Sequence, residues 1–107
     1  MRLRDEYKRM RTAMEAAGYP VVTTGGGQKG KCTQAEYWPR AVIAFYLYGG
    51  RWNNRRIGEL MHRDHSTVTI MRQRVETVLE FPRMYDDVTE MIEQFKTKYN
   101  ELYGQDL

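Results

Sequence analysis

Apolar residues recur at spacings of three and four along most of the chain, and glycine- or proline-containing breaks separate the segments that carry them. Leu3, Tyr7, Met10, Met14 and Ala17 share one face of a helix over residues 3 to 17, which Gly18 and Pro20 bring to an end. Val21 to Lys31 is glycine-rich and basic and reads as a loop. Thr33 and Glu36 have the spacing of a capping box. Pro39 suits the first turn of a helix running to Tyr48. Val42, Ile43, Phe45, Tyr46 and Leu47 make that helix apolar nearly all round, as expected of a central buried helix. Gly49-Gly50 ends it, and Asn53 or Asn54 can cap a short helix over 54 to 61. His62-Arg63 forms a turn. The following helix, from about 65 to 80, directs Val68, Met71, Val75 and Val78 or Leu79 inward. Pro82 opens a last helix with a stripe of Met84, Val88, Met91 or Ile92, Phe95, Tyr99 and Leu102. No segment alternates as a strand would, and there is no internal repeat.

The pattern therefore predicts an all-α fold of about five helices in a single domain over residues 1 to 107. Its parts are an N-terminal helix (1–18), a glycine-rich basic loop (19–32), a helix-turn-helix core (33–80) and a C-terminal helix (82–104).

Charge sharpens this picture by its distribution more than by its sum. The chain of 107 residues has 17 Lys plus Arg and 14 Asp plus Glu, a net +3. Residues 1–75 hold 14 basic and 6 acidic residues, a local +8, whereas residues 76–107 hold 3 and 8, a local −5. A basic body with an acidic end fits a nucleic-acid partner; an ordinary solvated helical surface has the same composition. The single cysteine, Cys32, permits no intramolecular disulfide and reads as a structural thiol of a cytoplasmic protein. No apolar stretch approaches the ~20 residues that span a bilayer. The charged start, Met1-Arg2-Leu3-Arg4-Asp5-Glu6, lacks the apolar centre of a signal peptide, so no membrane role is expected.

The densest candidate chemistry lies in residues 55–68, Arg-Arg-Ile-Gly-Glu-Leu-Met-His-Arg-Asp-His-Ser-Thr-Val. Two helices meet there at a tight break, and the second opens on Arg63, Asp64, His65, Ser66 and Thr67. Asp64 is suited to cap that helix, its carboxylate accepting orphan first-turn N–H groups. The helix N-terminus and Arg63 together favour a phosphate. In a helix-turn-helix the first residues of the second helix reach base edges. Taken alone, the same residues serve equally as an N-cap followed by ordinary polar first-turn positions.

Arg63-Asp64-His65-Ser66-Thr67-Val68 resembles the signature of the C-terminal DNA-binding domain of the bacterial replication initiator DnaA, a Trp-repressor-like fold. Ile57-Gly58-Glu59-Leu60-Met61 is similar to that family's preceding helix, and Pro39-Arg40 with Ala41 to Tyr48 is similar to its long helix; the likeness covers roughly residues 29 to 80. The resemblance implies sequence-specific binding of double-stranded DNA. It implies that Arg63 and Thr67 hold phosphates, that Asp64 accepts from a cytosine amino group, and that His65 and Ser66 touch thymine methyls or base edges. It further implies that Arg40 contacts DNA, where the residue alone reads equally as a surface arginine snorkelling off a buried helix. Lys29 and Lys31 stand where the family sends a basic loop into the minor groove; a solvated linker is the alternative. Such a glycine-rich loop is expected to be mobile when free and ordered on DNA. Asn54, Arg55 and Arg56, which open the first helix of the pair, complete the candidate DNA-binding set.

The chain also departs from the family. A single His62 replaces a glycine pair in the turn, Ala41 replaces a polar contact residue, and Arg55 and Arg56 replace Pro and Glu. The shorter turn can re-aim the reading helix, so the target sequence is expected to differ from the initiator's own.

Other chemistry is excluded by what is missing around it. Gly25-x-x-x-x-Gly30-Lys31 approaches a phosphate-binding loop, but Cys32 stands where Ser or Thr is required and no buried strand precedes it. Cys32, His62, Asp64 and His65 have no recognised metal-ligand spacing. Tyr7, Tyr46 and Tyr99 fit helix stripes and read as core. No enzyme activity, cofactor or metal is expected. The expected role is a transcriptional regulator or accessory replication factor of bacterial or phage type. The alternative is a protein-interaction module, or a homodimer, that uses the acidic last helix and its Met/Phe/Tyr stripe.

Overall fold

The computed structural model describes residues 1–21 and 34–107. Among these it contains five α-helices, one 3-10 turn and no strand: α1 (Leu3–Ala16), α2 (Gln34–Gly49), α3 (Asn54–Met61), α4 (His65–Glu80), the 3-10 turn Pro82–Tyr85, and α5 (Asp86–Tyr103). The expected all-α class holds. None of these helices is long and apolar enough to cross a membrane. Lys29, Lys31, Cys32 and the capping-box Thr33 lie outside the described residues.

α2 occupies the centre because four consecutive apolar residues leave it no polar side there. Ala41, Val42, Ile43, Ala44 and Leu47 have no solvent exposure. α1, α3, α4 and α5 all pack against it. α1 and α5 pack on each other, with Met10, Ala13 and Met14 of α1 and Val88, Met91, Ile92, Phe95 and Tyr99 of α5 in one shared core. α4 contributes Val68, Met71, Val75 and Val78 to that core, and α3 contributes Ile57 and Met61.

Three helices end in the same way. A left-handed residue closes each one, at Gly18 (φ 98°), Arg51 (φ 85°) and His62 (φ 56°). The next amide then reaches back five residues: Tyr19 N–H to Met14 O at 3.1 Å, Trp52 N–H to Leu47 O at 3.4 Å, and Arg63 N–H to Gly58 O at 2.8 Å. This arrangement satisfies carbonyls that a helix end leaves orphaned. Only the first of the three places glycine at the left-handed position, where a side chain costs about 1 kcal/mol.

Several expectations need correction. Pro39 lies inside α2, not in its first turn, because the helix begins earlier, at Gln34. Proline removes one helical hydrogen bond there, and complete burial of its ring offsets the loss. Pro82 opens the 3-10 turn and not the last helix, since Phe81 (φ −125°, ψ 62°) has already left the helical region. Met84 and Leu102, expected on the buried stripe, are 75% and 48% exposed. Of Val78 and Leu79, Val78 is the buried one. The rest of that stripe, Val88, Met91, Ile92, Phe95 and Tyr99, is buried in the core.

Candidate nucleic-acid interface

The α3–α4 pair is built from its caps. Asn53 Oδ1 accepts the Arg56 N–H at 2.9 Å and starts α3. α3 stops at Met61, and three residues, His62 to Asp64, bring the chain to α4. So short a connection fixes where α4 begins. Asp64 O accepts the N–H groups of Thr67 at 3.0 Å and Val68 at 3.2 Å.

Asp64, His65 and Ser66 are all exposed at the N-terminus of α4. Asp64 holds the N-cap position but makes no side-chain cap bond, contrary to expectation. Its carboxylate is engaged sideways instead: Ser66 Oγ donates to Asp64 Oδ2 at 2.6 Å, and His65 Nδ1 lies 3.3 Å from Oδ1. The Ser66 hydroxyl bond, with a further contribution from His65, holds the Asp64 carboxyl below the ordinary carboxylate range. Asp64 is therefore an anion, able only to accept hydrogen bonds. Asp64, His65 and Ser66 thus form one exposed polar cluster, with Ser66 bonded to the Asp64 carboxylate and the His65 ring beside it.

The flanking residues divide. Thr67 is half-buried. Arg63 is half-buried too, and its Nη1 donates to His62 O at 3.1 Å. Arg55 and Arg56 are exposed on α3, with the Arg56 guanidinium 5.7 Å from the Trp52 ring centre. Asn54 is a tether between the two helices: its Nδ2 donates to Thr69 Oγ1 at 2.9 Å, and its Oδ1 accepts from Arg72 Nη1 at 3.2 Å. Both ends of the amide thus join α3 to α4. Arg40 is 5% exposed and its Nε has no hydrogen-bond partner. Neither expectation for it, DNA contact or a snorkelling surface charge, matches that burial. Lys29 and Lys31 lie outside the described residues.

Two further features escaped the sequence. Ile70 and Gln73 are exposed on α4 at four and seven residues from Ser66, and so continue its outer face. The helical spacing itself carried that signal. Arg2 and Arg4, ahead of and within α1, line a shallow groove with Trp52, Arg56 and Glu59. The Trp52 indole N–H donates to the Glu6 carboxylate and ties this corner to α1. Only the tertiary fold brings Arg2 and Arg4 to Arg56. Among the described residues no three His, Cys, Asp or Glu side chains group as metal ligands would.

The chain gives no significant match to any family model, curated protein or solved structure.

Proposed function

We propose that this chain binds double-stranded DNA in a sequence-dependent way through α3 and α4, with α4 in the major groove, and acts as a transcriptional regulator or accessory replication factor. One observation carries the proposal: Asp64, His65 and Ser66 stand exposed and clustered at a helix N-terminus that a three-residue turn holds in place. The first residues of a second helix are those that reach base edges in a helix-turn-helix. Asp64 offers a pure acceptor, which fits a cytosine amino group. The likeness of Arg63 to Val68 to the initiator signature supports the same assignment. Arg55, Arg56, Arg2 and Arg4 supply charge for phosphates beside the reading helix.

The test has two arms. Binding to random duplex is measured against salt, where neutralising about four to six phosphates gives a log–log slope of roughly −3 to −6. Selection from a random duplex pool then yields the preferred site. Salt-insensitive binding, or no enrichment, defeats the proposal.

A protein-binding role has one specific observation in its favour. Leu79, Phe81 and Met84 are 47%, 48% and 75% exposed at the end of α4 and the 3-10 turn, far from the N-terminus of α4. Three large apolar side chains so close together form a surface that a partner can cover. Loss of DNA binding in the first test would leave this reading standing.

A further inference from the structure

We infer that Ile70 is a specificity-determining residue that reads the 5-methyl group of one thymine in the major groove. This rests on the DNA-binding reading and names a feature of its target. Ile70 is 47% exposed although it is a large aliphatic residue in the middle of a helix. Its neighbours on the outer face, Ser66 one turn before it and Gln73 one turn after, are polar and exposed. The core of α4 is already filled by Val68, Met71, Val75 and Val78, so Ile70 is not a displaced core residue.

In the major groove each base pair presents a distinct edge, and thymine alone offers a methyl group. An exposed branched aliphatic side chain is complementary to that group and to none of the hydrogen-bonding edges. Removal of the isoleucine side chain from water against a methyl is favourable on both sides of the contact. Position follows from helix geometry. Ile70 lies four residues beyond Ser66, on the same helix face and about 6 Å along the helix axis. With a base-pair rise of about 3.4 Å, a helix running along the groove places Ile70 about two base pairs from the base that Ser66 faces. The target therefore carries a thymine about two steps from the Ser66 position, on either strand.

Deoxyuridine tests this directly, because it deletes only the methyl. Each thymine of the duplex enriched by selection is replaced singly by 2′-deoxyuridine, and binding is compared for the wild-type chain, Ile70→Ala and Ile70→Gln. One methyl-sized contact corresponds to about a four-fold change in affinity, from ~0.8 kcal/mol per buried methylene-sized group. The expected result is one thymine at which uracil weakens wild-type binding about four-fold. Both variants should bind thymine and uracil duplexes equally there, and thermal stability should be unchanged. Ile70 is exposed and alanine favours helix, so neither variant threatens the fold. Two results overturn the inference while leaving DNA binding intact: no thymine is sensitive to uracil, or the sensitivity persists in both variants. Absence of any enriched duplex defeats the DNA-binding reading itself, and this inference with it.

Discussion

The carbonyl oxygen of Arg63 sits over Gly58, where a β-carbon would come within 2.5 Å of it. The same two residues are joined by the Arg63 N–H to Gly58 O bond of 2.8 Å. Gly58 thus lets α3 approach the start of α4 as closely as the three-residue turn requires. In an open helix Gly→Ala gains about 1 kcal/mol. Here the added methyl meets main chain that cannot move without shifting α4, an overpacking cost of typically 1–3 kcal/mol. Gly58→Ala is expected to lose about 1–2 kcal/mol, read as a lower urea midpoint with unchanged slope. A gain in stability would show that the turn relaxes freely.

His62 gives the opposite sign four residues later. It holds φ 56°, ψ 45° without being glycine. Relief of that strain by glycine outweighs the added freedom of the unfolded chain, so His62→Gly should raise stability by about 0.5–1 kcal/mol. His62→Val, branched at Cβ, should lower it. Equal melting temperatures for wild type and both variants would dismiss the strain.

These two sites also mark what the sequence could and could not say. The period of Val68, Met71, Val75 and Val78 was legible because a helix must put its apolar residues on one face. The break at His62 was legible from the residues around it. The need for glycine at position 58 was not, because it arises from a neighbour across the turn. Arg40 was misplaced for a similar reason: arginine is rarely buried, and its 5% exposure comes from tertiary packing alone. Met84 was lost when Phe81 left the helix, since a 3-10 turn and a helical first turn share the same proline signal. At the candidate site, Asp64 to Ser66 were legible by type, and the Ser66–Asp64 hydrogen bond and the His65 ring beside that carboxylate were not.

Asn54 and its arginine neighbours should separate stability from binding. Asn54 joins Thr69 and Arg72 through both ends of its amide. Asn54→Ala removes these bonds and is expected to destabilise by about 1–2 kcal/mol, with DNA affinity falling only as far as folding does. Arg55→Ala and Arg56→Ala should leave thermal stability nearly unchanged and reduce the magnitude of the salt slope by about one unit each. Denaturation and salt titration of the same three variants decide this. A full salt slope in both arginine variants would remove α3 from the interface.

Burial raises the phenol pKa of Tyr7, Tyr46 and Tyr99 above the ordinary 10.0. The folded state then holds these protons more tightly than the unfolded chain. Stability is therefore intact below pH 10.0 and is lost as pH rises through the folded values. Urea midpoints should be flat from about pH 8 to 9.5 and fall above about pH 10. Tyr46→Phe should remove part of that fall. A midpoint independent of pH up to about 11 would mean that the phenols titrate alike in both states.

His65 and Asp64 provide the sharpest division between reading bases and merely touching DNA. If each contacts a base edge, His65→Ala and Asp64→Ala should each cost ~1–3 kcal/mol on the selected duplex and flatten preference at one position. Random-duplex affinity should change little for His65→Ala, because it carries no backbone contact in the proposed arrangement. Loss of an N-cap bond costs about 1 kcal/mol, but the Asp64 side chain makes none. Its removal frees an exposed Ser66 hydroxyl and an exposed imidazole, both of which water can satisfy. Asp64→Ala should thus fold almost as well as the wild type, and its loss of binding can be attributed to the interface. Ser66→Ala gives a control: it removes the bond that aims the Asp64 carboxylate and should weaken discrimination at the same position as Asp64→Ala, by less. Binding of all three variants to the selected and random duplexes at one salt concentration makes the measurement. Equal losses on both duplexes would mean that the N-terminus of α4 holds the backbone and reads no base.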